Sequence, residues 1–442
     1  MSRASKGAFG GRVPPTAGAV GASQDSLALS SRGQATPPDA PLTQARARGS
    51  EEIIRGIHRL PPELLCAIFM MCGTPHESFS YPRDEHMHSD TPTKVHLYSQ
   101  AAVQLGYVCS YWFAVTRGYP PLWTMVDASY PQLRDLTALS LCLRYSASLS
   151  LCLRINDDTP PYRRNADICQ RFMRVLASVP DRWEEISLRL DETRGVLDPL
   201  LSLPPNSFTI LRRASLRFRD CNSACALDIP LWKAFHTSPV LASVEWWDDP
   251  YIHFAASSTT LVHLTHISAN GIRPENFMAL LQACPQLEVM QVTVARAPDV
   301  FPGPNDGYLL PVLQHVSLPH LQELMLSGMR DWSRLFTCLS VPRLRRLDLS
   351  LARIQTDAVD GMLTRSAARL KMLTLHRVPS GQTEHVAALL RCMGLRHLEV
   401  FRWAFHNRTA DDFDPFLLLP QHIKYYTTSY RKAETMYHMY RR

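Results

Sequence analysis

One hydrophobic phrase recurs through the second half of the chain: an apolar residue, another three positions on, and a third two positions after that. It is clearest at Leu321, Leu324 and Leu326 and at Leu344, Leu347 and Leu349. The spacing returns at Leu287, Met290 and Val292, at Leu370, Leu373 and Leu375, and at Leu395, Leu398 and Val400. Weaker copies precede these at Trp183 with Ile186 and Leu188, at Leu211 with Leu216, at Leu241 with Val244 and Trp246, and at Leu261. The closing two-residue step is that of a strand with one buried face. Between phrases, Pro274–Cys284 and Glu384–Cys392 carry apolar residues at three- and four-residue spacing, which predicts helices.

From Leu261 the anchors Leu287, Leu321, Leu344, Leu370 and Leu395 follow at gaps of 26, 34, 23, 26 and 25 residues. The long gap holds Ala297–Pro311, a loop by composition, with four prolines and Asn305-Asp306-Gly307. A strand followed by a helix cannot bury its apolar side alone, so successive units are expected to stack into a curved array. If Leu324 and Leu326 point into the core, Glu323, Met325 and Ser327 point to the concave side. The same alternation puts Glu245, Trp247, His263, Gln291, Arg346, Asp348, Met372, Thr374, His397, Glu399 and Phe401 there as target-binding candidates. A mixed polar surface with exposed aromatics suits protein binding.

Ahead of the repeats the pattern differs. Leu60-Pro61-Pro62-Glu63 opens a helix with prolines in its first turn and Glu63 near the positive end of the helix dipole. From Leu64 to Cys72 that helix is apolar on nearly every side, whereas a surface helix of a small domain keeps one polar face. It is expected to bury two faces, one of them against a partner. A polar insertion at 73–96 follows, then a second helical stretch over Leu97–Arg117, ended by Tyr119-Pro120-Pro121-Leu122-Trp123.

Leu60-Pro61-Pro62-Glu63-Leu64-Leu65 with Ile68-Phe69, then Val108-Cys109 with Trp112, then Pro121-Leu122-Trp123 resemble the F-box. The insertion resembles those of the F-box-like group expanded in mushroom-forming fungi, and Ser110-Tyr111 stands where that family commonly has a basic pair. The resemblance implies that Leu60, Pro61, Leu64, Leu65, Ile68, Val108, Cys109 and Trp112 lie at or just beneath a surface that docks a Skp-type adaptor. Through that adaptor the chain would join a cullin scaffold and a RING subunit. The repeats resemble leucine-rich repeats in the strand, but Ala295, Met329, Ala352, Val378 and Trp403 stand where Asn is usual.

The expected fold is thus an α/β repeat: a small helical F-box-like segment at 53–125, then an irregular leucine-rich-repeat solenoid at 126–420. The function this implies is a non-enzymatic substrate-recognition adaptor of a ubiquitin ligase, its repeats holding an unknown target protein. The alternatives are a leucine-rich-repeat scaffold without ubiquitin-ligase function and an enzyme without a local signature.

Composition bounds the picture further. The chain has 442 residues, 45% hydrophobic and 20% charged, the balance of a globular protein. Residues 1–50 are rich in Gly, Ala, Ser, Pro and Arg and read as a disordered tail. The net charge of +7 sits at the ends. Residues 1–50 set six basic residues against two acidic ones, and the last 25 set five against one, with 421–442 read as a basic tail. The body between is near neutral, so neither nucleic acid nor membrane is expected as a partner. Eleven cysteines scattered singly, with no secretory signal, point to a reducing compartment, cytoplasm or nucleus. The most apolar long stretch, Leu136–Leu153, is broken by Arg144 and predicts no membrane span.

Cys221 and Cys225 lack a second pair at zinc-ligand spacing, and His76, His86 and His88 lie in the polar insertion without a thiol or carboxylate cluster. Cys284, Cys338 and Cys392 each precede a phrase and read as small buried residues at helix ends. No phosphate-loop, Gly-x-Ser-x-Gly or His-Glu-x-x-His pattern occurs. No metal, cofactor or catalytic residue is expected.

Overall fold

The computed structural model describes residues 60–73 and 99–429, leaving out 130, 158–164, 191–195, 205, 219–227, 248–260, 273, 295–314, 329–331, 351–353, 379–381, 406–422 and everything beyond 429. Tail 1–50, most of the insertion at 73–96, loop Ala297–Pro311 and the pair Cys221 and Cys225 fall outside the described residues. So do Ala295, Met329 and Ala352.

Three helices come first: α1 (Pro62–Gly73), α2 (Ser99–Gly106) and α3 (Ser110–Arg117). The expected single helix over Leu97–Arg117 is therefore two. Tyr107 and Val108 close a tight turn onto the carbonyls of Gln104 and Leu105. Cys109 then turns extended at φ −164°, and its Sγ accepts the Trp112 amide at 3.4 Å, so the residue starts a new helix as its N-cap. A short 3-10 turn, Pro120–Trp123, leads to the first strand.

Strands and helices then alternate: β1 (Met125–Ser129), α4 (Leu133–Tyr145), β2 (Leu151–Asp157), α5 (Ala166–Leu176), β3 (Trp183–Leu190), α6 (Asp198–Leu201), β4 (Arg213–Phe218), α7 (Asp228–Phe235), β5 (Ser243–Trp246), β6 (His266–Ile272), α8 (Pro274–Ala283) and β7 (Val289–Val294). The series continues with β8 (Val316–Ser317), β9 (Glu323–Ser327), α9 (Ser333–Cys338), β10 (Leu339–Ser340), β11 (Arg346–Ser350), α10 (Thr356–Ser366), β12 (Met372–Val378), α11 (Thr383–Leu390), β13 (Val400–Phe405) and β14 (Lys424–Ser429). Twelve of the strands form one sheet in the order β1-β2-β3-β4-β5-β6-β7-β9-β11-β12-β13-β14, and β8 pairs with β10 apart from it. Every pairing is parallel. The chain is thus mixed α/β around a large parallel sheet whose strands follow one another in chain order, with β8 and β10 left out of it.

The hydrophobic phrase explains that order. Leu321, Leu324 and Leu326, Leu344, Leu347 and Leu349, and Leu370, Leu373 and Leu375 are each no more than 2% exposed and lie in one continuous core. Burying each leucine contributes roughly 1.5–3 kcal/mol. Parallel pairing puts equivalent residues side by side, as with Leu324, Leu347 and Leu373. Helices cover the core face: α5 buries Cys169, Phe172, Met173 and Leu176, a three- and four-residue spacing. Asn165 caps α5 by accepting the Ile168 amide at 3.2 Å. Gly328 follows β9 at φ +97°, where a Cβ would lie 2.2 Å from the Val294 carbonyl oxygen, so only glycine fits there.

Two phrases are shifted from their expected register. β13 pairs Phe401 with Leu373 and Trp403 with Leu375, so the last phrase is Leu398, Phe401 and Trp403, three residues later than Leu395. Phe401 is 0% exposed and belongs to the core, which removes it from the target-binding face. Trp403 is a buried core residue as well. Likewise the phrase expected at Leu261 runs through Leu264, Ile267 and Ala269, and His263 lies in the turn before β6. Both slips have one cause: Leu261 and Leu395 are themselves buried leucines three residues ahead of the true anchor. The segment expected to be a basic tail begins with β14, which pairs along β13 from Lys424 to Ser429. Of the three cysteines expected to be buried, Cys284 is, while Cys338 and Cys392 are half-buried.

Candidate interaction surfaces

α1 carries two apolar stripes. Leu65, Cys66 and Phe69 turn inward and, with Val115 of α3, make a second, small core. Leu64, Ile68 and Met71, at a four- then three-residue step on the adjacent face, are 53%, 38% and 69% exposed. Val108, in the turn before α3, is 60% exposed, and Pro61 is exposed. Of the eight residues expected at a docking surface, Pro61, Leu64, Ile68 and Val108 therefore present themselves to solvent.

Leu65 lies beneath them, and Trp112 is half-buried with its ring 4.8 Å from that of Phe69. Leu60 is half-buried, held where Tyr111 Oη donates to its carbonyl at 3.0 Å. Cys109 is half-buried and occupied as the α3 cap. Met71, Tyr107 and Phe113 are exposed apolar residues that the motif did not single out. The signal for Met71 was its place seven residues after Leu64.

This helical segment is continuous with the sheet. Leu122 packs against both cores. Trp123 is buried beside β1, its Nε1 donating to the Thr116 carbonyl of α3 at 2.7 Å, with the Tyr145 ring of α4 4.9 Å away. From Leu60 onward the described residues belong to one compact unit.

On the sheet, alternation exposes the face opposite the core. Glu323 and Met325 on β9, Arg346 on β11 and Met372 on β12 are half-buried there, as are Glu245, Trp247 and Gln291. Asp348 and Thr374 share the face but are 5% and 4% exposed, roofed by their neighbours. Arg346 ties the group together: Nη2 donates to Asp348 Oδ2 at 2.8 Å, and Nη1 lies 3.6 Å from Glu323 Oε2. Burial, and secondarily the charge of Asp348, push the Glu323 carboxyl above its ordinary range.

Trp247 has the Arg217 guanidinium 4.2 Å from its ring centre and that of Arg189 5.6 Å away, two arginines the strand phrase did not mark. With the last register corrected, the residues of β13 on this face are Val400 and Arg402. His397 and Glu399 precede the strand, exposed at its N-terminal rim. Glu399 pairs there with Lys371 at 2.7 Å, and the hydrogen bond from Lys371 holds its carboxyl below the usual range.

Chemistry beyond binding leaves few traces. Among the described residues no three His, Cys, Asp or Glu side chains gather as metal ligands. Burial pushes the Cys142 and Cys284 thiols up to about 12, which holds both protonated at neutral pH. No described helix is long and apolar enough to cross a membrane. No family model and no curated protein matches the chain.

Proposed function

We propose that the chain is a substrate-recognition adaptor of a cullin-RING ubiquitin ligase. In this reading the F-box-like helices dock a Skp-type adaptor, and the strand-helix units form an irregular leucine-rich-repeat solenoid that holds the target protein. The observation that carries it is the exposed stripe Leu64, Ile68 and Met71, with Val108 beside it, on a helical segment whose own core has four buried residues. An apolar surface so concentrated marks a face that a partner covers. The contribution to ubiquitin transfer would be positional: the target's lysines are held near a thioester carried by another subunit.

Trp123 supports this division of labour. It ties α3 to the first strand, so docked helices and a bound target would keep one orientation.

The test is co-purification of the Skp-type adaptor with the wild type and with a Leu64→Asp, Ile68→Asp variant. The wild type retains the adaptor. The variant loses it while its thermal midpoint stays close to that of the wild type, because both side chains already face water. A wild type that brings down no adaptor overturns the proposal.

A further inference from the structure

The N-terminal rim of the sheet is built from the residues flanking each phrase anchor, and its character changes along the molecule. On β4 to β7 these pairs are Ile210 and Arg212, Val240 and Ala242, His263 and Thr265, and Gln286 and Glu288. On β11 and β12 they are Arg343 with Arg345 and Arg369 with Lys371, all four exposed; before β13, anchored at Leu398, they are His397 and Glu399, with Arg396 one position earlier. His320 and His397 stand at the two ends of the run.

Backbone bonds fix the alignment. The Arg345 amide donates to the Gln322 carbonyl, that of Lys371 to Arg345, and that of Glu399 to Lys371, each at 2.8 Å. Four cations thus stand in two files, with Arg396 beside them, and among the described residues the files hold one carboxylate, Glu399, which Lys371 engages. Among the described residues the guanidiniums of Arg345 and Arg369 have no ion-pair or hydrogen-bond partner. An excess of like charge held on neighbouring strands, about 4.8 Å apart, is unfavourable by itself and favourable only toward an anion.

We infer that this rim, from β9 to β13, binds an acidic stretch of a partner protein. Three strand steps span roughly 14 Å, the reach of four or five residues of extended peptide at about 3.3 Å each. Carboxylates accept well from guanidiniums, whose paired N–H groups match their two oxygens. Met393 is 69% exposed next to Arg396 and offers such a peptide an apolar contact. Among the described residues no Phe, Tyr or Trp side chain lies in the rim for a nucleotide base to stack upon, and the strip is an edge rather than a groove, which disfavours nucleic acid. The inference stands on this rim alone and does not need the helical face to dock anything.

The probe is a fluorescein-labelled hexaglutamate peptide, titrated with the full chain at low salt and followed by fluorescence anisotropy. The wild type binds it, and binding weakens sharply at about 0.3 M salt. Arg345→Glu with Arg369→Glu weakens binding about tenfold or more. Arg171→Glu with Arg174→Glu on α5, the same change in net charge at two exposed positions, leaves it within about twofold. Leu64→Asp with Ile68→Asp leaves it unchanged, which separates this site from the helical one. Circular dichroism melts establish that each variant is folded. Equal losses in the two arginine pairs, no binding by the wild type, or tighter binding of a labelled single-stranded DNA through the same pair overturns the inference.

Discussion

The helical segment and the sheet bury their apolar residues with very different completeness. In the sheet each phrase is covered on one side by helices and, between the two edge strands, flanked by neighbours on both sides, so one core runs from Val126 to Ile423. In the helical segment the described residues of the separate core are only Leu65, Cys66, Phe69 and Val115, while Ala102 joins the core of the sheet. Yet among the described residues six of the twelve large exposed hydrophobic ones belong to it: Leu64, Ile68, Met71, Tyr107, Val108 and Phe113. The sheet has its phrases covered by its own helices, and the helical segment leaves apolar surface open. The difference teaches where to look for a partner's contacts: on the sheet among the mixed side chains of its outward face and rim, on the helices among exposed apolar ones.

The largest expected effect tests the sheet. Phe401→Ala should cost about 3–5 kcal/mol in urea denaturation, the penalty of emptying a core site. A loss within about 0.5 kcal/mol would return Phe401 to the surface and break the corrected register. Next, Leu65→Ala should cost about 2–5 kcal/mol, while Leu64→Ala, one residue away on the open stripe, should change stability by less than about 0.5 kcal/mol. Hydrogen exchange should place the Leu65→Ala loss in α1 to α3 and leave the strands protected.

Acid should then weaken the sheet and spare the helices, whose described residues contain no histidine. His236, at the end of α7, is packed against the rings of Trp232 and Trp246 and neither ring nitrogen has a partner. Burial pushes its pKa down to about 4. The unfolded chain takes up this proton near pH 6.5 and the native one only near pH 4, so stability is full above pH 6.5 and falls as the pH drops between the two. The loss approaches roughly 3 kcal/mol, and His236→Leu should flatten that slope in denaturation curves taken across the interval. Smallest of all, Cys109→Ala should cost α3 about 0.5–1 kcal/mol, and Cys109→Ser should restore or raise its stability, as thermal midpoints would show.

What the sequence disclosed follows from what each signal averages over. The strand phrase is a buried pattern repeated many times, so the parallel sheet and the outward positions of Glu323, Met325, Arg346 and Met372 were legible. Register within a single repeat was not, because Leu395 and Leu398 are both buried leucines and either can begin the phrase. Only pairing with β12 decides between them. Burial depth on the outward face was equally hidden: Asp348 alternates correctly but is buried, with the Arg346 guanidinium of its own strand against it.

In the helical segment the doubly apolar α1 was plain, since nine residues from Leu64 to Cys72 offered no polar face. The Cys109 cap was not. A lone cysteine between helical stretches reads like any small apolar residue until its sulfur is found accepting an amide. The basic rim went unnoticed because it is dispersed as one or two cations per repeat, and only parallel stacking gathers them.

The order of the strands also bears on how the chain comes to be folded. Each strand of the sheet pairs with its neighbours in sequence, so almost every contact between strands closes a loop about one repeat long. Such closures cost little entropy, and the cost does not grow with the length of the array. The sheet can therefore assemble from its beginning while later repeats are still being made. The same arrangement exposes its two edge strands, β1 and β14, to fraying, since among the described residues each is held by a single neighbour.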